Sequence, residues 1–305
     1  MTLMLLKFIV GLILLLIGVE LLRKGLWELG HSKIEKIIQK ATINPWRGFA
    51  LGTIITAFIQ SSSAVTVLTV GLVNGGVISF YQSLGLILGA NLGTCITVQI
   101  MALDLTQISI PLIFIGILIS TLKRTKSLGI AFLGFGLIFI SLDFMAKALL
   151  PFKNSLLLLG PLSNAATNPW QGLTAGIILT GLLQSSSVVI GMTIVLCSQE
   201  ILTSLGALNI ILGANIGTCF TAIVASIFSS KAAKRTALAH LLINAIGALL
   251  VLPLLPLINS VLNWVTPDLP KQLAQFHTLF NLLSSLAALP FLKILAWFLT
   301  RIVPD

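Results

Sequence analysis

Apolar residues in this chain come in long unbroken runs rather than in the alternating or one-faced patterns of a soluble fold. The stretches 108–122, 128–142 and 237–258 carry no charged residue. They approach or reach the ~20 residues a helix needs to cross the hydrocarbon core of a bilayer. A transmembrane β-barrel would instead show ~10-residue segments of alternating polarity. The pattern therefore predicts an all-α polytopic membrane protein. Residues 24–42 mix charged with apolar positions, which predicts a helix lying in the membrane interface. The first twenty residues resemble a secretory signal, but no small-residue cleavage site follows before Glu20, Arg23 and Lys24, so they read as a retained first helix.

Composition agrees. Of 305 residues, 57% are hydrophobic and 9% charged, against roughly 25% charged in a soluble domain. A water-soluble globule is excluded. The net charge of +10 comes from basic residues clustered between apolar runs. Such clusters are topology signals, and nucleic acid is not expected as a partner. Cys95, Cys197 and Cys219 lie in or beside apolar segments and are odd in number, so no disulfide framework is implied.

The chain repeats itself at an offset of 124 without a gap. Asn44-Pro45-Trp46 returns as Asn168-Pro169-Trp170, and Gln60-Ser61-Ser62-Ser63 returns as Gln184-Ser185-Ser186-Ser187. Gly89-Ala90-Asn91-Leu92-Gly93-Thr94-Cys95 returns as Gly213-Ala214-Asn215-Ile216-Gly217-Thr218-Cys219. Chance similarity between apolar segments would match Leu and Ile, whereas the longest identical blocks here are polar. Polar residues in lipid are costly, so their duplication points to a shared task.

Charge orients the copies. The approach to the first copy is basic (Arg23, Lys24, Lys33, Lys36, Lys40, Arg47) and its exit carries Asp104. The second copy reverses this, with Ser163 and Asn164 near its start, only Lys153 nearby, and Lys231, Lys234 and Arg235 at its exit. With Lys123, Arg124, Lys126 and Arg301 also inside, the positive-inside rule predicts antiparallel copies. Each copy must then cross an odd number of times in about 60 residues, which one span plus a re-entrant hairpin satisfies. In copy one, Pro45 to Ile59 is the entering arm, the serines the tip and Val65 to Val73 the return. Ser79 to Met101 is then a discontinuous transmembrane helix, broken near Gly89 to Gly93. The expected organisation is a first transmembrane helix and interfacial helix (1–43), repeat 1 (44–107), two linking transmembrane helices (108–150), repeat 2 with its approach segment (151–235) and C-terminal transmembrane helices (236–305).

Non-helical backbone at membrane depth survives only where it is buried in protein or lines a cavity. Interrupted segments from two inverted copies would meet near the midplane, where helix starts hold an anion and hydroxyls and freed carbonyls hold a small cation. The polar blocks contain no Arg, Lys, Asp or Glu. An anion held there would need a co-bound monovalent cation on hard oxygen ligands. The bland alternative is that these polar residues only bond helices together; the glycines accompanying them favour a site.

The paired QSSS motifs, each followed by a GAN(L/I)GTC block, resemble the sodium-dependent phosphate cotransporter family, the type II Na/Pi group, over about residues 44 to 300. The resemblance implies sodium-coupled uptake of inorganic phosphate by alternating access across the plasma membrane. It places substrate and sodium binding on Gln60, Ser61, Ser62, Ser63, Asn91, Thr94, Gln184, Ser185, Ser186, Ser187, Asn215 and Thr218. No cofactor or metal beyond transported sodium is implied. Bacterial relatives often add a PhoU-like helical domain. This chain stops at Asp305 without one, which leaves a separate PhoU-like regulator or a homo-oligomer as the protein partners to consider.

His240 with Asn244 and His277 with Asn281 are each one helical turn apart, and a structural hydrogen-bond role is the expectation for both. Trp46 and Trp170 suit either interfacial anchors or packing, and Cys95 and Cys219 small packing residues. A rival reading is an intramembrane serine hydrolase using His240 or His277 as base. Duplication argues against it, since catalysis needs one nucleophile and inverted halves need two. A channel, a scaffold, or a carrier of sulfate or a carboxylate completes the alternatives.

Overall fold

The computed structural model describes residues 2–41, 44–103, 105–150 and 168–304, which are all-helical. Asp104, Lys153, Ser163 and Asn164 lie outside the described residues. In chain order the helices are α1 (Thr2–Ala41), α2 (Pro45–Ile59), α3 (Ser62–Asn74), α4 (Phe80–Met101), α5 (Thr106–Ser120), α6 (Lys126–Leu149), α7 (Pro169–Leu183), α8 (Ser186–Ser198), α9 (Ser204–Gly217), α10 (Cys219–Ser226), α11 (Lys231–Val251), α12 (Leu255–Val265), α13 (Leu269–Ala288) and α14 (Leu292–Ile302).

The repeated motifs are helix punctuation. Asn44 Oδ1 accepts from the Arg47 amide at 2.9 Å, and Asn168 Oδ1 from the Trp170 amide at 3.1 Å. Each Asn is followed by Pro at the first helical position, where the missing N–H costs nothing. Both helices stop at a glutamine in left-handed backbone, Gln60 at φ 62° and Gln184 at φ 51°. Side chains rarely adopt that conformation. Beyond glycine, Glu200 shares it among the described residues. At α4 a capping box closes the start: Gln82 N donates to Ser79 Oγ and Ser79 N donates to Gln82 Oε1.

Among the described residues, six segments are long and apolar enough to cross a membrane: Leu5–Gly30, Phe80–Met101, Lys126–Leu149, Ser204–Ser226, Lys231–Val265 and Leu269–Ile302. This is a multi-pass membrane protein. At 15 and 13 residues, the hairpin arms α2 and α3 reach only about 20 Å, short of the ~30 Å core. The linking segment 108–122 is also shorter than expected of a span, forming the 15-residue α5. Large apolar side chains such as Phe114, Leu118, Leu250 and Trp264 stay exposed on the outside, as a lipid-facing surface requires.

Two expectations are corrected. The first span and the expected interfacial helix form one continuous helix, α1, of 40 residues. The expected break at Gly89 to Gly93 is absent, since α4 runs unbroken, and its counterpart is interrupted only at Thr218, between α9 and α10. The glycines serve close packing instead. A Cβ on Gly89 would strike the Phe49 carbonyl, and one on Gly213 the Leu173 carbonyl. A Cβ on Gly93 would lie 2.6 Å from Thr56 Cβ, and one on Gly217 2.7 Å from Thr180 Cβ. Every such pair differs by 124, so both copies pack alike, with glycine letting backbones approach. In lipid a helix has no alternative partner for its amides, so glycine does not unwind it.

The core centres on α8, buried from Ser186 to Cys197 and clustered with Leu15, Val98, Met145 and Ile211. The C-terminal region is itself duplicated at an offset of 37. Helices α11 and α13 carry His240 and Asn244, and His277 and Asn281, and pass into α12 and α14 through 3-10 turns at Pro253 and Pro290. At the end of α3, Asn74 Oδ1 accepts from the amide of Ser230, just before α11, at 2.7 Å.

Candidate transport site

The glutamine turns leave the serines at the starts of the return helices. Ser61 and Ser185 are the N-cap residues of α3 and α8, and Ser62–Ser63 and Ser186–Ser187 are their first helical positions, where backbone amides lack intrahelical partners. The return therefore begins at Ser62, three residues earlier than Val65. In copy one the cap is closed, with Ser61 Oγ accepting from Ala64 N at 3.2 Å. In copy two Ser185 makes no such bond. Its hydroxyl accepts instead from Arg23 Nη2 at 3.0 Å, and Arg23 Nε donates to the Gln60 carbonyl at 3.0 Å. One guanidinium on α1 thus bridges the two tips. Sequence reasoning missed this residue, treating it as a topology charge at the membrane edge; Arg23 lies inside the span Leu5–Gly30.

The glutamines differ as well. Gln60 is buried, its amide nitrogen bonded to the Ala57 carbonyl and its Oε1 accepting from Thr97 Oγ1 at 2.6 Å. Gln184 is exposed, and the hydroxyl of Thr221, at the position equivalent to Thr97, donates to the Thr218 carbonyl at 2.9 Å. Gln184 and Thr221 line a cavity of about 560 Å³ together with Ser63 and Trp27. The hairpin is latched to its crossing helix in copy one and open onto a cavity in copy two.

The remaining candidates sit in the two GAN blocks, which pack along α2 from Phe49 to Ala57 and along α7 from Leu173 to Thr180. Thr94 and Thr218 donate to the carbonyls of Ala90 and Ala214 at 2.9 and 3.0 Å, leaving their oxygens free to accept. Asn91 belongs to a buried network: its Oδ1 pairs with His240 Nε2 at 2.9 Å, and its amide donates to Asn244 Oδ1 at 3.2 Å. Asn215 bonds the Ile211 carbonyl in its own helix. Cys219 Sγ meets the His240 carbonyl at 3.5 Å and Cys95 Sγ the His277 carbonyl at 3.6 Å, so each GTC block docks on one C-terminal helix. The cysteines are buried and free, and Trp46 and Trp170 are exposed. Among the described residues neither histidine bonds a serine.

A profile of the Na+/Pi-cotransporter family matches residues 14–147 and 158–261. The chain belongs to that family. The uncharacterized protein YqeW of Bacillus subtilis is 34% identical over 274 residues, 89% of each chain. The putative inorganic phosphate export protein YjbB of Escherichia coli K12 is 27% identical over 270 residues, 85% of this chain and 48% of that protein. Human sodium-dependent phosphate transport protein 2B is 32% identical over 104 residues, 31% of this chain and 15% of that protein. The chain thus spans nearly the whole of the first relative and about half the length of the export protein. No solved structure matches it. The matched residues of this Na+/Pi-cotransporter family member include both QSSS motifs and both GAN blocks.

Proposed function

We propose that the protein carries inorganic phosphate across the plasma membrane by alternating access, coupled to sodium and working in the direction of uptake. One observation carries this reading. Two short helical hairpins, one from each copy, bring their serine tips to a single guanidinium beside a cavity lined from both copies. Free amides at the starts of α3 and α8 suit phosphate oxygens, while hydroxyls and the carbonyls released at the glutamine turns suit sodium. Gln60 to Ser63, Asn91, Thr94, Gln184 to Ser187, Asn215 and Thr218 are the binding groups, and Asn91 also ties its block to His240 and Asn244.

The latched tip in copy one and the open tip in copy two support alternation between two states. The bond between Asn74 and Ser230 supports antiparallel copies, because these residues share a side only if the second copy is inverted. Under the charge-derived orientation that side, and the cavity, face the cytoplasm. A serine hydrolase is disfavoured by the geometry, since His240 pairs with Asn91.

Radiolabelled phosphate uptake into proteoliposomes tests the proposal. An inward sodium gradient is expected to drive saturable uptake that is lost when potassium replaces sodium or when Ser186 becomes Ala, with the folded yield unchanged. The relatives named as phosphate exporters favour a second reading, efflux. Release of preloaded phosphate with no response to external sodium would select it.

A further inference from the structure

Arg23 poses an electrostatic problem. A guanidinium stays charged at any accessible pH, and inside a membrane-spanning segment an ionised group needs a partner. Both bonds described for Arg23 go to uncharged oxygens, the Gln60 carbonyl and the Ser185 hydroxyl. Among the described residues no carboxylate comes within 4 Å of it. Glu20, one turn away on α1, is exposed and acts on Arg23 only through space, without a direct ion pair. The positive charge therefore has no ion-pair partner among the described residues, and both its bonds at the tips go to neutral oxygens.

The oxygens it engages are informative. A carbonyl freed at a left-handed turn and a serine hydroxyl are the ligand types a small hard cation takes in an uncharged site. The 124-residue repeat supplies a mirror pair, the Gln184 carbonyl and the Ser61 hydroxyl. Among the described residues no Lys or Arg donates to that pair, and the Ser61 hydroxyl accepts from the amide of Ala64. One of two equivalent places thus holds a fixed cation and the other does not. Trp27, one turn beyond Arg23 on α1, lines the cavity with Ser63 and Gln184, so the charge borders the space an anion would enter.

Resting on the phosphate-transport reading above, we propose that Arg23 is a resident cation of the transport site, standing in for one sodium ion that an uncharged site would have to bind with each phosphate. Divalent phosphate is balanced by the guanidinium and a single sodium. Without the guanidinium a second sodium must enter to reach the same neutrality. Arg23 therefore sets the coupling ratio: one sodium per divalent phosphate in the native protein and two in Arg23→Gln.

The test is a flux-reversal measurement at pH 8 in proteoliposomes holding radiolabelled phosphate, with the membrane potential clamped at zero by potassium and valinomycin. A tenfold sodium gradient is expected to balance about a tenfold phosphate gradient in the native protein and about a hundredfold one in Arg23→Gln, each extra ion contributing another factor of the sodium gradient. Arg23→Lys, which keeps the charge, is expected to retain the native ratio. An unchanged ratio in Arg23→Gln overturns the proposal. So does a folded Arg23→Gln protein that binds no phosphate at any sodium concentration, because Arg23 would then be a phosphate ligand rather than a substitute for sodium. Should Arg23→Gln fail to fold, the native ratio still decides, since two or more sodium ions per divalent phosphate contradicts it. Native protein that moves phosphate without sodium, or moves none, instead removes the function proposed above.

Discussion

Thr97 and Thr221 occupy equivalent positions, yet their hydroxyls do different work. Thr97 donates to the buried Gln60 side chain, whereas Thr221 donates to the carbonyl of Thr218, the cap of its own helix. Thr97→Val leaves Gln60 Oε1 without its donor, and a buried acceptor stripped of its partner costs about 1–3 kcal/mol. Thr221→Val is expected to be close to neutral. Thermal unfolding in detergent should show the first variant clearly destabilised and the second within about 0.5 kcal/mol of the native protein. At this scale the identity of the candidate residues was readable from the duplicated motifs alone. Their states were not: nothing local distinguishes Gln60 from Gln184, because the difference lies in which crossing helix is near enough to hold each one.

Among the helices, the paired glycines carry the packing. Gly89 faces the Phe49 backbone of α2, and a carbonyl oxygen there cannot swing aside as a side-chain tip would. Gly71, on α3, has open space where its Cβ would be. Gly89→Ala is therefore expected to force α2 from α4, at a cost of 1–3 kcal/mol or more. Gly71→Ala should be neutral or stabilising by up to about 1 kcal/mol, because alanine is the better helix former. Monodisperse elution and melting temperature separate the two outcomes. The same glycines explain why the expected discontinuity in α4 is absent. Glycine clusters signal either flexibility or close approach, and only the facing helix tells which. The continuous α1 has the same origin, since charged positions at 24–42 lower hydropathy without supplying a helix stop.

At the scale of the whole molecule, the contact between Asn74 and Ser230 joins parts of the chain 156 residues apart. Cysteines at both positions should be joined by a short bifunctional thiol reagent, converting the protein to a faster-migrating form on denaturing gels. No cross-link in folded protein would contradict antiparallel copies. Hydropathy, helix caps and the repeat are short-range patterns, each written in residues that are near neighbours or exact copies, so the sequence alone determined the helical membrane architecture, the hairpin arms and the two polar tips. Tertiary structure alone decided that α1 delivers Arg23 to both tips, across 37 and 162 residues, that Asn91 pairs with His240 across 149, and that one tip is latched while the other faces a cavity. Such pairings depend on how rigid helices rotate and stack against one another, and no local propensity encodes that rotation.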